Sequence, residues 1–241
     1  MRKLEVCFSP DIYQAYENTK ATVVVIDIFR ATSAIVTAFK YGVSAIIPVE
    51  HIEQALDYKK QGFLVAAERK GEIVEGFSYG NSPYHYMGEE INNATIVLTT
   101  TNGTRALEKA RRSKEVLCSS FLNISATAQY LLHHAEDVLL LCSGWKGKFN
   151  MEDSIFAGAL SDVLMQSGEF DDISDSSIAS AEFYKANAHD IPGVLSRSSH
   201  RKRLEHLNLE KDIEWCLQRD ITDVIPVLVG EKLVEHRRRL G

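Results

Sequence analysis

Short apolar runs, each stopped by a polar or acidic residue and followed by a stretch of helical spacing, recur along the chain. Val23-Val24-Val25-Ile26 sets the pattern: four β-branched residues in succession predict a strand buried on both faces. Asp27 breaks the run and is placed at the strand's C-terminal end. Ile35, Ala38 and Phe39 then repeat at helical spacing over 34–41, so Thr32 and Ser33 fall where a helix begins and are expected to cap its free N–H groups. Further strands are predicted at 44–50, 63–68, 95–98, 115–118 and 137–142, with a weaker one at 4–8. Helices are predicted at 51–61, closed by Gly62, around Ala106, Leu107 and Ala110, at 124–133, and from Ser154 onward. Beyond these, 168–177 reads as an exposed connection, 178–188 as a helix and Ser198-Ser199-His200 as polar punctuation. A helix is predicted at 213–219 with Trp215 and Cys216 in the core, then a strand at 224–228 that Pro226 assigns to an edge or bulge. Strands alternating with helices predict an α/β fold, in which ligands gather at the carboxyl ends of strands beside helix N-termini.

A chain of 241 residues allows one large α/β domain or two small ones. The formal charge of -6 argues against a nucleic-acid surface, and the densest basic run, Arg237-Arg238-Arg239, is expected as a solvated helix end. No apolar stretch reaches the roughly 20 residues of a membrane span, and Met1-Arg2-Lys3-Leu4 has no signal-peptide core, so a cytoplasmic protein is expected. Cys7, Cys118, Cys142 and Cys216 stand far apart without C-x-x-C spacing, which predicts reduced, buried thiols.

The candidate chemistry lies in the turns after the strands. The first offers a carboxylate for a cation (Asp27), a guanidinium for an anion (Arg30) and the hydroxyls of Thr32 and Ser33, with an Asp27–Arg30 ion pair as the plain alternative. Glu68 ends another strand and leads into an irregular, aromatic-bearing loop at 69–83, where Asn81 and Ser82 are candidates to face a ligand; a simple turn before Pro83 is the other reading. Thr99-Thr100-Thr101-Asn102-Gly103-Thr104 opens a helix and has the hydroxyls, amide and glycine of a phosphate cradle without the Walker spacing. Ser119 and Ser120 sit at the mouth of 115–118, and Lys146, Lys148, Glu152 and Asp153 share one glycine-bearing loop. Carboxylates without clustered histidines favour a hard cation such as Mg²⁺. With the cations Arg30, Arg69, Arg105, Lys146 and Lys148, they fit metal-assisted phosphoryl transfer on a small anionic substrate. Phe29 stands where an aspartyl-phosphate enzyme needs its second acid, and Cys142 has Lys148 six residues on where a cysteine phosphatase needs arginine, so neither covalent route is supported. No histidine falls in these turns, and His200 is the one that stands out elsewhere.

Val25-Ile26-Asp27-Ile28-Phe29-Arg30-Ala31-Thr32-Ser33, Glu68-Arg69 with Gly80-Asn81-Ser82-Pro83, and Thr99-Thr100-Thr101-Asn102-Gly103-Thr104 resemble the 2-phosphosulfolactate phosphatase family in sequence and order. Cys142-Ser143-Gly144 with Glu152-Asp153, Ser199-His200 and the 220–226 segment are similar too, so the resemblance covers nearly the whole chain. It implies a three-layer α/β/α fold with a mostly parallel or mixed central sheet, a single domain over 1–241 or two closely packed subdomains, and Mg²⁺-dependent hydrolysis of 2-phosphosulfolactate in coenzyme M biosynthesis. Under it, Asp27, Arg30 and Glu68 are the catalytic candidates, with Asp27, Glu68 and Asp153 as metal or water-orienting groups. Arg30 and the turn of Thr100, Thr101, Asn102, Gly103 and Thr104 become phosphate contacts, and Asn81, Ser119 and Ser120 substrate contacts; Ser33, Ser82 and Lys148 complete the expected binding set. Expected partners are the phosphorylated substrate, no nucleic acid and no membrane, with a second copy of the chain as an open alternative. Other functional readings are a phosphatase for a different phosphorylated hydroxy acid and a non-catalytic protein that binds a phosphometabolite.

Overall fold

A computed structural model describes residues 1–236, so the run at Arg237-Arg238-Arg239 lies outside the described residues. Strands β1 (Lys3–Cys7), β2 (Ala21–Ile26), β3 (Ala45–Pro48), β4 (Leu64–Arg69), β5 (Glu72–Ile73), β6 (Thr95–Thr99), β7 (Glu115–Ser119), β8 (Asp137–Cys142), β9 (Asp172–Ile173), β10 (Pro226–Val229) and β11 (Lys232–Glu235) form one mixed sheet. Its order is β5-β4-β6-β3-β11-β10-β7-β2-β8-β1-β9. The helices are α1 (Ala31–Lys40), α2 (Ile52–Lys60), α3 (Gly103–Ala110), α4 (Ile124–His134), α5 (Met151–Gln166), α6 (Asp175–Asn187), α7 (Ile191–Leu195), α8 (Ser199–His206) and α9 (Glu210–Cys216). The α/β architecture inferred from the alternating pattern is present, and none of the described helices is long and apolar enough to cross a membrane.

Two parallel blocks make up the sheet. β4, β6 and β3 form one, and β7, β2, β8, β1 and β9 the other. The antiparallel hairpin β10–β11 joins them through Val227 opposite Leu117 and Leu233 opposite Ile46. Pro226 is therefore not at a sheet edge: it is the first residue of an interior strand, a position where a missing N–H breaks little of the ladder.

Alternation along β2 divides the interior as a period of two requires. Val24 and Ile26 join Leu140 and Leu117 against Ile155, Phe156 and Leu160 of α5 and Leu131 of α4. Val23 and Val25 face the opposite way, into a core that holds Ala34, Ile35 and Ala38 of α1, Ala106 and Leu107 of α3, and Ile96 and Leu98 of β6. A smaller cluster of Ile47, Val65 and Val97 packs on Ala55 of α2. All four cysteines are free and buried. Burial raises the Cys142 thiol well above its ordinary pKa, which suits a structural thiol and not a nucleophile.

Several element ends depart from the sequence expectation. α1 begins at Ala31, so Thr32 and Ser33 lie within its first turn and Arg30 occupies the cap position with no side-chain cap bond. α5 begins at Met151, because Asn150 caps it by accepting from the Asp153 N–H at 3.2 Å. Part of 168–177 is strand: Asp172 pairs with Lys3. The region past 190 folds into three short helices whose Val194, Leu195, Leu204, Ile213 and Cys216 complete the core around α5, and the helix expected at 213–219 runs from Glu210 to Cys216.

Candidate active site

Strand ends from both parallel blocks meet at one narrow cleft. Asp27 follows β2, Glu68 lies near the end of β4, and Thr101 and Asn102 follow β6, with Arg30 and Asn81 beside them. Phe29, Gly71, Trp145, His200, Arg203 and Leu204 complete the lining.

The β2–α1 turn fixes Asp27. Its N–H donates to Thr32 Oγ1 at 3.1 Å, its carbonyl accepts from the Thr32 N–H at 2.9 Å, and Ser33 Oγ donates to the Ile28 carbonyl at 2.9 Å. The two hydroxyls thus knit the turn together instead of capping the helix. Ser33, expected as a substrate contact, is fully buried and outside the cleft lining. The Phe29–Arg30 peptide of this turn is cis. The first residue of α1 presents its N–H to the Asp27 carboxylate, and Gly103 at the start of α3 comes so close that a Cβ there would meet Ala31 Cβ at 2.8 Å and Asp27 Oδ2 at 3.0 Å. Burial pushes the Asp27 carboxyl from its ordinary 3.8 to about 6; Glu68 and Glu152 add to the rise, while His200 and the Ala31 N–H oppose it.

Glu68 holds the neighbouring turns. Oε1 accepts from the Gly71 N–H at 2.5 Å, and Oε2 from the Thr101 N–H at 3.2 Å, with Thr101 Oγ1 within 3.3 Å of both oxygens. Thr100 and Thr104 bond reciprocally, each N–H donating to the other's hydroxyl, and Thr104 Oγ1 also donates to the Thr100 carbonyl. The threonine-rich turn is therefore closed on itself and on Glu68. It positions Thr101 and Asn102 at the cleft and is not the open cradle that its composition predicts.

Arg30 is buried and its Nη1 donates to Asp212 Oδ2 at 2.5 Å, its Nη2 to the Gly71 carbonyl at 2.6 Å. Ser82 Oγ donates to the other oxygen of Asp212 at 2.8 Å, so Ser82 supports the ion pair and is not in the cleft lining. Arg30 Nε and Asn81 Oδ1 are buried without a protein partner. Asp153, expected to bind metal, has both oxygens engaged: Oδ1 accepts from the Ile28 N–H at 3.0 Å, Oδ2 from the Gly144 N–H at 3.2 Å and from Asn150 Nδ2 at 2.8 Å. It ties the end of β2 to the 143–153 loop. Burial, then the neighbouring Asp27 and Glu152, raises its pKa well above the ordinary carboxylate value.

Ser119 and Ser120 are fully buried outside the cleft. The Ser119 hydroxyl bonds Asn123 Oδ1 and Thr127 Oγ1, and the Ser120 N–H donates to Asn123 Oδ1, fixing the turn from β7 to α4. Lys148 is exposed and only its backbone is used, paired with Trp145. Of the cations in the strand-end turns, Arg30 alone lines the cleft. His200 does what no turn histidine could: Nδ1 lies 2.6 Å from Glu152 Oε1, and the ring stacks on Trp145 with centroids 5.0 Å apart at 13°. Arg203, one turn on, sets its guanidinium carbon 3.8 Å from the centre of the same indole.

Residues 7–231 match the 2-phosphosulpholactate phosphatase family. The chain belongs to it. Relatives include a probable 2-phosphosulfolactate phosphatase of Thermotoga maritima, 45% identical over 209 residues, 87% of this chain and 89% of that one. Another, from Clostridium acetobutylicum, is 34% identical over 228 residues, 93% of this chain and 96% of its own.

A divalent cation can be tested against this family member's cleft from its donors. Asp27 and Glu68 both line the cleft, and Glu68, whose four lone-pair sites accept from the Gly71 N–H and from the N–H and hydroxyl of Thr101, has one site left. Among the described residues no three His, Cys, Asp or Glu side chains form a metal cage. Two hard oxygen donors without a cage fit Mg²⁺, which keeps several waters and takes further oxygens from a substrate phosphate, and do not fit a structural zinc.

Sequence reasoning missed Trp145, Arg203 and Asp212. A helical reading of 199–206 would have put His200 and Arg203, three apart, on one face, with Ser198 as the N-cap whose Oγ accepts from the Arg201 N–H at 3.0 Å.

Proposed function

We propose that this chain hydrolyses 2-phosphosulfolactate to sulfolactate and inorganic phosphate with Mg²⁺, a reaction that belongs to coenzyme M biosynthesis. The observation that carries the reading is the convergence of Asp27, Glu68 and the Thr101–Asn102 turn on one cleft that also holds Arg30 and His200. Asp27 and Glu68 would hold the cation, which when bound neutralises charge on the phosphoryl oxygens and helps to align a water. Asn102 and Arg30 line the cleft that those oxygens would enter, which is narrow at about 10 Å³, and Arg30 Nε has no partner among the described residues. Glu152 fixes His200 through Nδ1 and so leaves Nε2 as the nitrogen that gives a proton to the departing alkoxide when the phosphorus–oxygen bond breaks. The attacking water supplies the new oxygen on phosphorus, and its proton leaves through the inorganic phosphate formed, which restores the proton that His200 gave.

The test is phosphate release from 2-phosphosulfolactate by the purified chain, with Mg²⁺ and with EDTA. Release that EDTA abolishes and Mg²⁺ restores is expected. A folded chain that releases no phosphate from this or any related phosphorylated hydroxy acid overturns the proposal, and tight binding without turnover would replace it with the phosphometabolite-binding reading.

A further inference from the structure

The cleft contains two arginines in different states. Arg30 is neutralised by Asp212, but among the described residues Arg203 takes part in no ion pair, and its Nε is buried with no acceptor. Its guanidinium is placed by Trp145, an aromatic face that orients a cation without supplying a counter-charge or an acceptor. Arg203 is half-buried, and its buried Nε–H is unfavourable without an acceptor unless something other than the protein supplies one. The carboxylate it feels most strongly is Glu68, which on the reading above is shared with a cation.

From this geometry we infer that Arg203 is the specificity-determining residue of the cleft: it binds a second oxyanion on the substrate, distinct from the phosphoryl group. This rests on the proposed phosphatase reading and deepens it by assigning one residue to the acid group that a carboxylate- or sulfonate-bearing phosphomonoester carries beside its ester carbon. Asp27 and Glu68 bring to the cleft two carboxylates suited to cation plus phosphate, and Arg203 of α8 adds to the same lining a guanidinium that no carboxylate among the described residues pairs. A planar guanidinium matches either oxyanion, so the second group is defined by charge and not by shape.

The experiment compares four esters: 2-phosphosulfolactate, 2-phospholactate, 2-phosphooxyethanesulfonate and isopropyl phosphate, which has no second acid. In Arg203→Gln the preference in kcat/KM for acid-bearing esters over isopropyl phosphate should fall by about 10- to 100-fold, mostly through KM, and Arg203→Lys should restore part of it. The two single-acid esters report which oxyanion is bound. An equal loss on all four esters in both variants, with unchanged melting temperature, overturns the assignment. If wild type hydrolyses none of the four, the phosphatase reading fails, and calorimetric titration with sulfolactate still decides this one: weaker binding to Arg203→Gln supports it, equal binding overturns it.

Discussion

Replacing Asp27 with asparagine should make the protein more stable while destroying its proposed activity. The carboxyl is buried, has Glu68 and Glu152 as acidic neighbours, and titrates near 6 in place of 3.8. Between those two values the unfolded chain releases its proton before the folded one, so stability falls as pH rises and the full cost is present above 6. At about 1.4 kcal/mol for each pH unit between the two values, that cost is about 3 kcal/mol. The asparagine amide keeps the shape of the carboxylate and removes its charge. In EDTA at pH 7.5 the variant should therefore gain up to about 3 kcal/mol, or about 6–12 °C in Tm for a chain of this size, and the gain should vanish below pH 4. Urea melts of both proteins from pH 3.5 to 8 measure it. Mg²⁺ should then stabilise wild type selectively and shrink the difference, because a ligand that binds only the folded state raises its stability. A gain independent of pH would mean that packing and not charge is responsible, and equal stabilisation of both proteins by Mg²⁺ would remove Asp27 from the cation site.

Three other substitutions probe the supports of the cleft. Asp212→Asn leaves the Arg30 guanidinium buried without a counter-charge and should cost about 3–5 kcal/mol in a urea melt, whereas the double change Arg30→Met, Asp212→Leu should cost much less. Gly103→Ala forces a methyl between Ala31 Cβ and Asp27 Oδ2; a stability loss of about 1–3 kcal/mol with a larger fall in kcat is expected, and normal turnover would show that the close approach is dispensable. His200→Gln should slow alkyl phosphates by about 10²–10⁴-fold yet barely affect p-nitrophenyl phosphate, whose leaving group departs without a proton; equal effects on both would take His200 out of proton transfer.

How far the site can be read from the chain depends on where each residue's partner lies. Asp27 and Glu68 were legible because each ends an apolar run, so a charge at a strand's carboxyl end stands out from local pattern alone. The same pattern marked eight of the eleven described strands, since buried apolar runs are local features, and missed β5, β9 and β11, which are two to four residues long and carry no such run. Ser82 and Asp153 also looked like ligand groups, being polar residues in the right turns, but neither lines the cleft: Ser82 is bonded to Asp212, and Asp153 to the backbone N–H groups of Ile28 and Gly144. Those pairings span up to 130 residues of sequence and leave no local trace. Arg203 is the converse case. No helix is predicted around it and nothing local marks it, and its meaning comes from Trp145 beneath it and from the absence of a described ion-pair partner. Composition therefore overestimates the free donors in a turn and underestimates the free charges on a helix, because only the folded arrangement distinguishes a polar group already satisfied by protein from one left for a ligand.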